Sequence, residues 1–211
     1  MKEDKIIYVD FCNTITNFTT LSPFFNFIFS KSFISNFINM FFRGLSYFNL
    51  LSLQDRQLQM ISGLKESYIN MLAKDFYYQE IQPNLNKIVL NIIKDYAKQG
   101  YKVVIVSGAL KEYIHHLSDE IPIHKVIAKS IEYKDSRATG KYINGPCYYH
   151  DKVIKIEKFE YSLNSNITER VSISDCEDDI PMLLYANKQY VVNPQNNEFK
   201  EFVNRSGWKI I

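Results

Sequence analysis

Short apolar runs recur along this chain, each suited to a strand buried on both faces: Lys5–Val9 (KIIYV), Lys102–Val106 (KVVIV), Lys125–Ala128, Val171–Ser174 and Tyr190–Val192. Between them the apolar residues change to helical spacing. Leu85, Ile88, Val89, Ile92, Ile93, Tyr96 and Ala97 follow the i, i+3, i+4, i+7 pattern of an amphipathic helix that stops at Gly100. Further helices are predicted near Leu110–Leu117, over Asp151–Leu163 and over Ile180–Ala186, the last with Pro181 near its first turn, where a missing N–H costs nothing. Strands alternating with helices imply a parallel sheet with right-handed crossovers and helices on both faces. Ligands of such sheets bind beyond the carboxyl ends of the strands.

The stretch from Asn17 to about Gln82 has a different texture. It carries no convincing strand pattern, only helix-like segments: a Phe-rich stripe, a second segment over Leu53–Leu64 and a third over Lys65–Phe76. In the stripe Phe25, Phe29, Phe33, Phe37 and Phe41 recur every fourth residue beside Ile34, Ile38 and Phe42. Phe11–Ser30 is uncharged over about the length of a bilayer helix, but Asn, Thr, Ser, Cys and Pro interrupt it throughout, so no membrane span is expected. The stripe reads as a helix face buried against a neighbour rather than one lying on a membrane.

Composition narrows the classes. A chain of 211 residues, 46% hydrophobic and 23% charged, suffices for one domain with a substantial insertion. Its net charge of +2, without a basic run interleaved with aromatics, gives no nucleic-acid signature. Three scattered cysteines and a start, MKEDKIIYVD, that is charged and then strand-like suggest a reducing, cytoplasmic location without a secretory leader.

Three strings at predicted strand ends carry the chemistry: DFCNTIT (Asp10–Thr16), VSG (Val106–Gly108) and DCEDD (Asp175–Asp179). A carboxylate ending one strand, a hydroxyl ending the next and acids ending a later one can surround a phosphate and a magnesium ion. Taken singly, each has a plainer reading: a turn-capping Asp, a Ser-Gly turn, a solvated acidic run. Ser107 and the N–H groups after it, Gly108 included, precede a predicted helix N-terminus, a favourable place for phosphate oxygens. Hard oxygen donors suit magnesium, and no His/Cys cluster has zinc spacing.

In their order and spacing these strings, with Lys152 between the second and third and Ile180-Pro181-Met182-Leu183 after the last, resemble the haloacid dehalogenase superfamily. The similarity is to its phosphoserine phosphatase-like branch, which VVNP (Val191–Pro194) and GWKII (Gly207–Ile211) also resemble. The resemblance implies a three-layer Rossmann-like parallel-sheet core over residues 1–16 and 83–211, with an α-helical cap over residues 17–82 inserted between them. It implies a Mg2+-dependent phosphatase acting on a small phosphorylated metabolite. Asp10 is then the nucleophile that forms an aspartyl-phosphate, and Lys152 the cation that holds both it and the phosphoryl group. Asp10, the backbone carbonyl of Cys12 and Asp175 would be metal ligands, with Asp179 supporting the metal shell or Lys152. Ser107 and Gly108 would bind phosphate, and the cap arginines Arg56 and Arg43 are candidates for an anionic substrate. A homodimer is left open.

Cys12 departs from the pattern. In the resembling enzymes the residue two after the nucleophile also supplies a carboxylate that protonates the leaving oxygen and activates water. A cysteine keeps the carbonyl and loses the carboxylate, a loss of roughly 10²- to 10⁴-fold in rate. Three classes remain open: a slow phosphatase, a phosphotransferase whose aspartyl-phosphate waits for an acceptor, or a phosphate-binding regulatory protein. Cys12 follows the nucleophile and Cys176 the presumed metal ligand, and a disulfide or soft-metal contact between them, which would switch off chemistry, requires Cα atoms within about 7 Å. Cys147 reads as packing, and His115, His116 and His150 as surface or packing residues. The cap stretch Asn17–Leu21 lacks the glutamate that holds the substrate ammonium in phosphoserine phosphatases. Members with a cysteine in this motif point instead to a sugar- or polyol-phosphate.

Overall fold

A computed structural model describes residues 3–31, 53–143 and 145–211. Strand β1 (Glu3–Val9) is central, and its residues Ile6 to Val9 are fully buried. On one side lie β2 (Lys102–Leu110) and β3 (Lys125–Lys129); on the other, β6 (Asn166–Ser174), β7 (Lys188–Val191) and β8 (Lys209–Ile210). The order is β3-β2-β1-β6-β7-β8 and every pairing is parallel. The chain builds outward from β1 in one direction, then returns to start again at β6. The β1/β6 gap is therefore the switch point, where the carboxyl ends of a parallel sheet open a ligand crevice.

Helices cover both faces because successive strand residues point to opposite sides. Ile7, Val9, Val103 and Ile105 pack with Val89, Leu90 and Ile93 of α4 (Lys87–Lys98). Ile6, Tyr8, Val104 and Val106 pack with Ile156 and Phe159 of α6 (His150–Leu163) and Met182 of α7 (Ile180–Tyr185). Asn86 caps α4 by accepting the N–H groups of Ile88 and Val89. A third cluster, Leu183, Val191, Phe199 and Val203, seats α8 (Asn197–Arg205) at the sheet edge.

Between β1 and α4 run α1 (Leu21–Lys31), α2 (Leu53–Met60) and α3 (Glu66–Phe76), the last continuing through a π-helical turn, Tyr77–Ile81. The buried face of α1 is Leu21, Phe24, Phe25 and Ile28, and Phe29 is half-buried. The face thus follows a helical turn rather than the strict every-fourth-residue stripe. Phe24 meets Phe76 and Tyr113 at ring-centroid distances of 5.3 and 5.1 Å, joining α1 to α3 and to the residues after β2. Phe33, Ile34, Phe37, Ile38, Phe41, Phe42 and Arg43 lie outside the described residues. Among the described residues no helix is long and apolar enough to cross a membrane.

Three elements differ from expectation. The helix predicted near Leu110–Leu117 is shortened at both ends: β2 runs on to Leu110, and α5 spans only Lys111–Ile114 before a 3₁₀ turn, His115–Asp119. The helix predicted over Leu53–Leu64 stops at Met60, and Gly63 turns the chain at φ 84°. An antiparallel hairpin, β4 (Ile131–Lys134) with β5 (Arg137–Tyr142), was not expected at all. Its two turn residues, Asp135 and Ser136, both adopt left-handed conformations without the glycine that usually announces such a turn.

Candidate active site

The site assembles at the switch point. The Asp10 N–H donates to the Ile173 carbonyl at 2.9 Å, so the ladder between β1 and β6 runs one residue beyond β1 and fixes where the Asp10 carboxylate starts. Asp175 immediately follows β6. From above the sheet, the first turn of α6 delivers Lys152, whose Nζ lies 2.7 Å from Asp10 Oδ1 and 2.7 Å from Asp179 Oδ2. Lys152 is 3% exposed and Asp179 2%, so this is a buried bridge between two carboxylates. The Ser174 hydroxyl also donates to Asp179 Oδ2, at 2.5 Å, and Thr14 Oγ1 donates to Asp175 Oδ1 at 3.0 Å. On β2, the shift in pairing with β3 between Ser107 and Leu110 turns the backbone, and Ser107 Oγ accepts the Ala109 N–H at 3.2 Å. Tyr149, just before α6, takes φ 48° and ψ −129°, a costly conformation for a bulky residue at the turn that presents Lys152.

Asp10, Cys12, Ser107, Gly108, Lys152, Asp175 and Asp179 all line one cavity of about 210 Å³. Arg56 does not line it; it sits half-buried on α2, and Gln54, two residues earlier, lines the cavity instead. Asp178 lines it too and is half-buried, rather than the solvated neighbour its sequence context suggests. His115 and His150 are exposed and His116 half-buried, none of them in the lining, and Cys147 is buried in the core beneath α6. Sequence reasoning also passed over Thr14, although it lies within DFCNTIT, and Tyr148, four residues before Lys152. An alanine-like Cβ on Gly108 would lie 2.4 Å from Tyr148 Cε1, so the tyrosine ring rests directly on the glycine that follows Ser107.

The electrostatics leave an excess of negative charge. Three carboxylates stand near one ammonium, which pairs with Asp10 and Asp179, while Asp175 is held by Thr14. Burial pushes the Asp10 carboxyl up to about 7; Lys152 pulls it down, but Asp179 and Asp175 add to the rise. Burial opposes the Lys152 charge, yet Asp10 and Asp179 together outweigh it and hold the group above the ordinary lysine range. Burial raises the Asp175 carboxyl as well, against the Thr14 hydrogen bond. Among the described residues no three His, Cys, Asp or Glu side chains converge tightly enough to enclose a metal on their own. The residues nonetheless fit a hard divalent cation of magnesium type, which takes one or two carboxylates and completes its shell with water and phosphate oxygens.

Cys12 bonds to Thr20 rather than to these carboxylates. Its Sγ lies 3.3 Å from Thr20 Oγ1 and accepts the Thr20 N–H at 3.5 Å; Thr20 Oγ1 is 2.8 Å from Tyr113 Oη, which accepts the Leu110 N–H at 3.1 Å. Burial pushes the thiol up to about 11, with the Asp10 charge adding to the rise, so Cys12 is a neutral thiol near pH 7. Burial also raises Cys176, to about 12. Both sulfurs line the cavity and both are free.

Residues 9–184 match the haloacid dehalogenase-like hydrolase family. The chain is 29% identical over 135 residues to a phosphoserine phosphatase of Lactococcus lactis subsp. lactis, and 26% identical over 132 residues to one of Streptococcus thermophilus. Each alignment covers 63% of this chain but only 57% and 58% of the relatives' lengths. Among solved structures, a Bordetella pertussis protein of unknown function superposes with a TM-score of 0.84 at 15% identity, covering 100% of this chain and 99% of that one. A phospho-aspartyl intermediate analogue of phosphoserine phosphatase superposes with a TM-score of 0.64 at 18% identity, over 99% and 93% of the two chains. At these identities the superpositions establish the fold.

Proposed function

The chain belongs to the haloacid dehalogenase-like hydrolase family, and from that premise we propose that it is a magnesium-dependent phosphatase of a small phosphorylated metabolite, working through an aspartyl-phosphate on Asp10. The observation that carries this reading is the buried Lys152 bridge between Asp10 and Asp179 at the sheet's switch point. Bound magnesium would neutralise the carboxylates and the phosphate, held by Asp10, Asp175 and the Cys12 carbonyl. An Asp10 oxygen attacks phosphorus as the bond to the leaving oxygen breaks; water then attacks the same phosphorus, the bond to Asp10 breaks, and phosphate leaves. Ser107 and the backbone at Gly108 would hold phosphate oxygens, and Lys152 would oppose the charge that builds on them. Thr19, Leu21 and Gln54 line the cavity, which supports reading the segment between β1 and α4 as a cap that would exclude water from it.

The Cys12 thiol bears on rate. A neutral thiol near 11 and hydrogen-bonded to Thr20 retains its proton and is a weak donor, so leaving-group protonation and water activation are both slow. This favours a long-lived aspartyl-phosphate, which an acceptor other than water could discharge. A panel of phosphomonoesters with Mg2+ tests the proposal. Phosphate release that requires Mg2+ and is absent in Asp10→Asn supports it; release unaffected by Asp10→Asn refutes it.

A further inference from the structure

Lys129 ends β3 beside the phosphate-binding end of β2, and it is 6% exposed. Its Nζ donates to Tyr148 Oη at 2.8 Å and reaches Gln54 Oε1 at 3.5 Å, the limit of a hydrogen bond. The Tyr142 ring lies beside it, centroid 5.0 Å away, while the Tyr148 centroid, at 4.6 Å, stands behind the hydroxyl that accepts its hydrogen bond. Among the described residues no carboxylate stands within ion-pair distance of it. A buried ammonium carries three donors and is costly to bury without an anion; one ring and one firm hydrogen bond offset only part of that cost. Lys152, by contrast, has two carboxylates.

The position of Lys129 gives this imbalance a use. Lys129 lines a groove of about 950 Å³ that shares Gln54, Tyr148 and Asp178 with the catalytic cavity. Tyr148 joins the two spaces: its ring rests on Gly108, while its hydroxyl holds Lys129. Asp55 and Lys141 also line the groove. A phosphoryl group at Ser107 and Gly108 would thus direct its leaving group past Tyr148 toward a cation with no carboxylate partner among the described residues. We infer that Lys129 receives a second anionic group, a carboxylate or a phosphate, carried on the leaving group of the substrate. This rests on the phosphatase reading and narrows its substrate class from neutral sugar or polyol esters to esters of acids or to bisphosphates.

The test is binding without turnover, by calorimetry on full-length Asp10→Asn protein with Mg2+. Two matched pairs separate the sources: glycerol 3-phosphate against 3-phosphoglycerate for a carboxylate, and fructose 6-phosphate against fructose 1,6-bisphosphate for a phosphate. In at least one pair the doubly anionic member is expected to bind at least about tenfold tighter, as for a hydrogen bond to a charged group. Adding Lys129→Met, or Lys129→Gln if the first does not fold, is expected to bring that ratio near unity. Lys129→Met is expected to melt no lower than its parent, because it removes a buried charge that has no carboxylate partner among the described residues. Equal binding within both pairs, or a preference that survives loss of Lys129, overturns the inference while leaving the phosphatase reading intact. No binding of any of the four esters overturns the inference, and the phosphatase reading falls separately, if phosphate release from the phosphomonoester panel survives Asp10→Asn.

Discussion

Replacing Cys12 with aspartate puts a carboxylate two residues after Asp10, where the cavity now has a thiol. The Thr20 N–H and hydroxyl that now face the sulfur at 3.5 and 3.3 Å become donors to a carboxylate. Hydrogen bonds to a charged group contribute about 1.5–3 kcal/mol each, against the burial and the nearby Asp10 charge that already push the thiol up to about 11. The same forces raise an aspartate at this position above its ordinary range, where a general acid works well near neutral pH. The expected gain is about 10²- to 10⁴-fold, equivalent to about 3–5 kcal/mol off the barrier. Single-turnover measurement of phosphoenzyme formation is the assay, run with an alkyl phosphate and with p-nitrophenyl phosphate. The alkyl ester, whose leaving oxygen needs a proton, should gain more than the nitrophenyl ester. A folded Cys12→Asp protein that binds Mg2+ but shows no gain with the alkyl ester would refute the reasoning.

Two further outcomes follow from the geometry. Lys152→Met leaves Asp10 and Asp179 buried without their shared cation and should cost about 3–5 kcal/mol in urea denaturation, with activity lost and Mg2+ recovering part of the stability. Gly108→Ala places a Cβ 2.4 Å from Tyr148 Cε1, and such overpacking should cost about 1–3 kcal/mol. Adding Tyr148→Ala should return most of that stability, and a Gly108→Ala protein as stable as wild type would show that the ring does not rest on the glycine.

The site was legible where it is local. Asp10, Ser107 and Asp175 lie in or just after short apolar strands, and Lys152 opens a helix whose apolar spacing is plain, so the sheet's topology alone brings them together. Arg56 stands out in the sequence by its charge, but it lies on a helix whose orientation the sequence does not determine, and packing turns Gln54 to the cavity instead. Tyr148 and Lys129 were invisible for a related reason. Both depend on the β4–β5 hairpin and the irregular loop after it, and on a two-residue turn without glycine. Cys12 stood out as a departure from the motif, but its thiol's state depends on Thr20 and, through it, on Tyr113, which lies 93 residues farther along the chain than Thr20. Its nearest hydrogen-bonding partner was close in sequence and its controlling network was not.

The central claim is that Asp10 carries the phosphoryl group. Rapid acid quenching of the wild-type protein with Mg2+ and a phosphomonoester it turns over, followed by peptide mapping, tests this directly. One phosphoryl group is expected on the peptide containing Asp10, accumulating in wild type, absent in Asp10→Asn and without Mg2+, and shorter-lived in Cys12→Asp. Turnover of the ester with no label on that peptide at any quench time, or label that persists in Asp10→Asn, would contradict it.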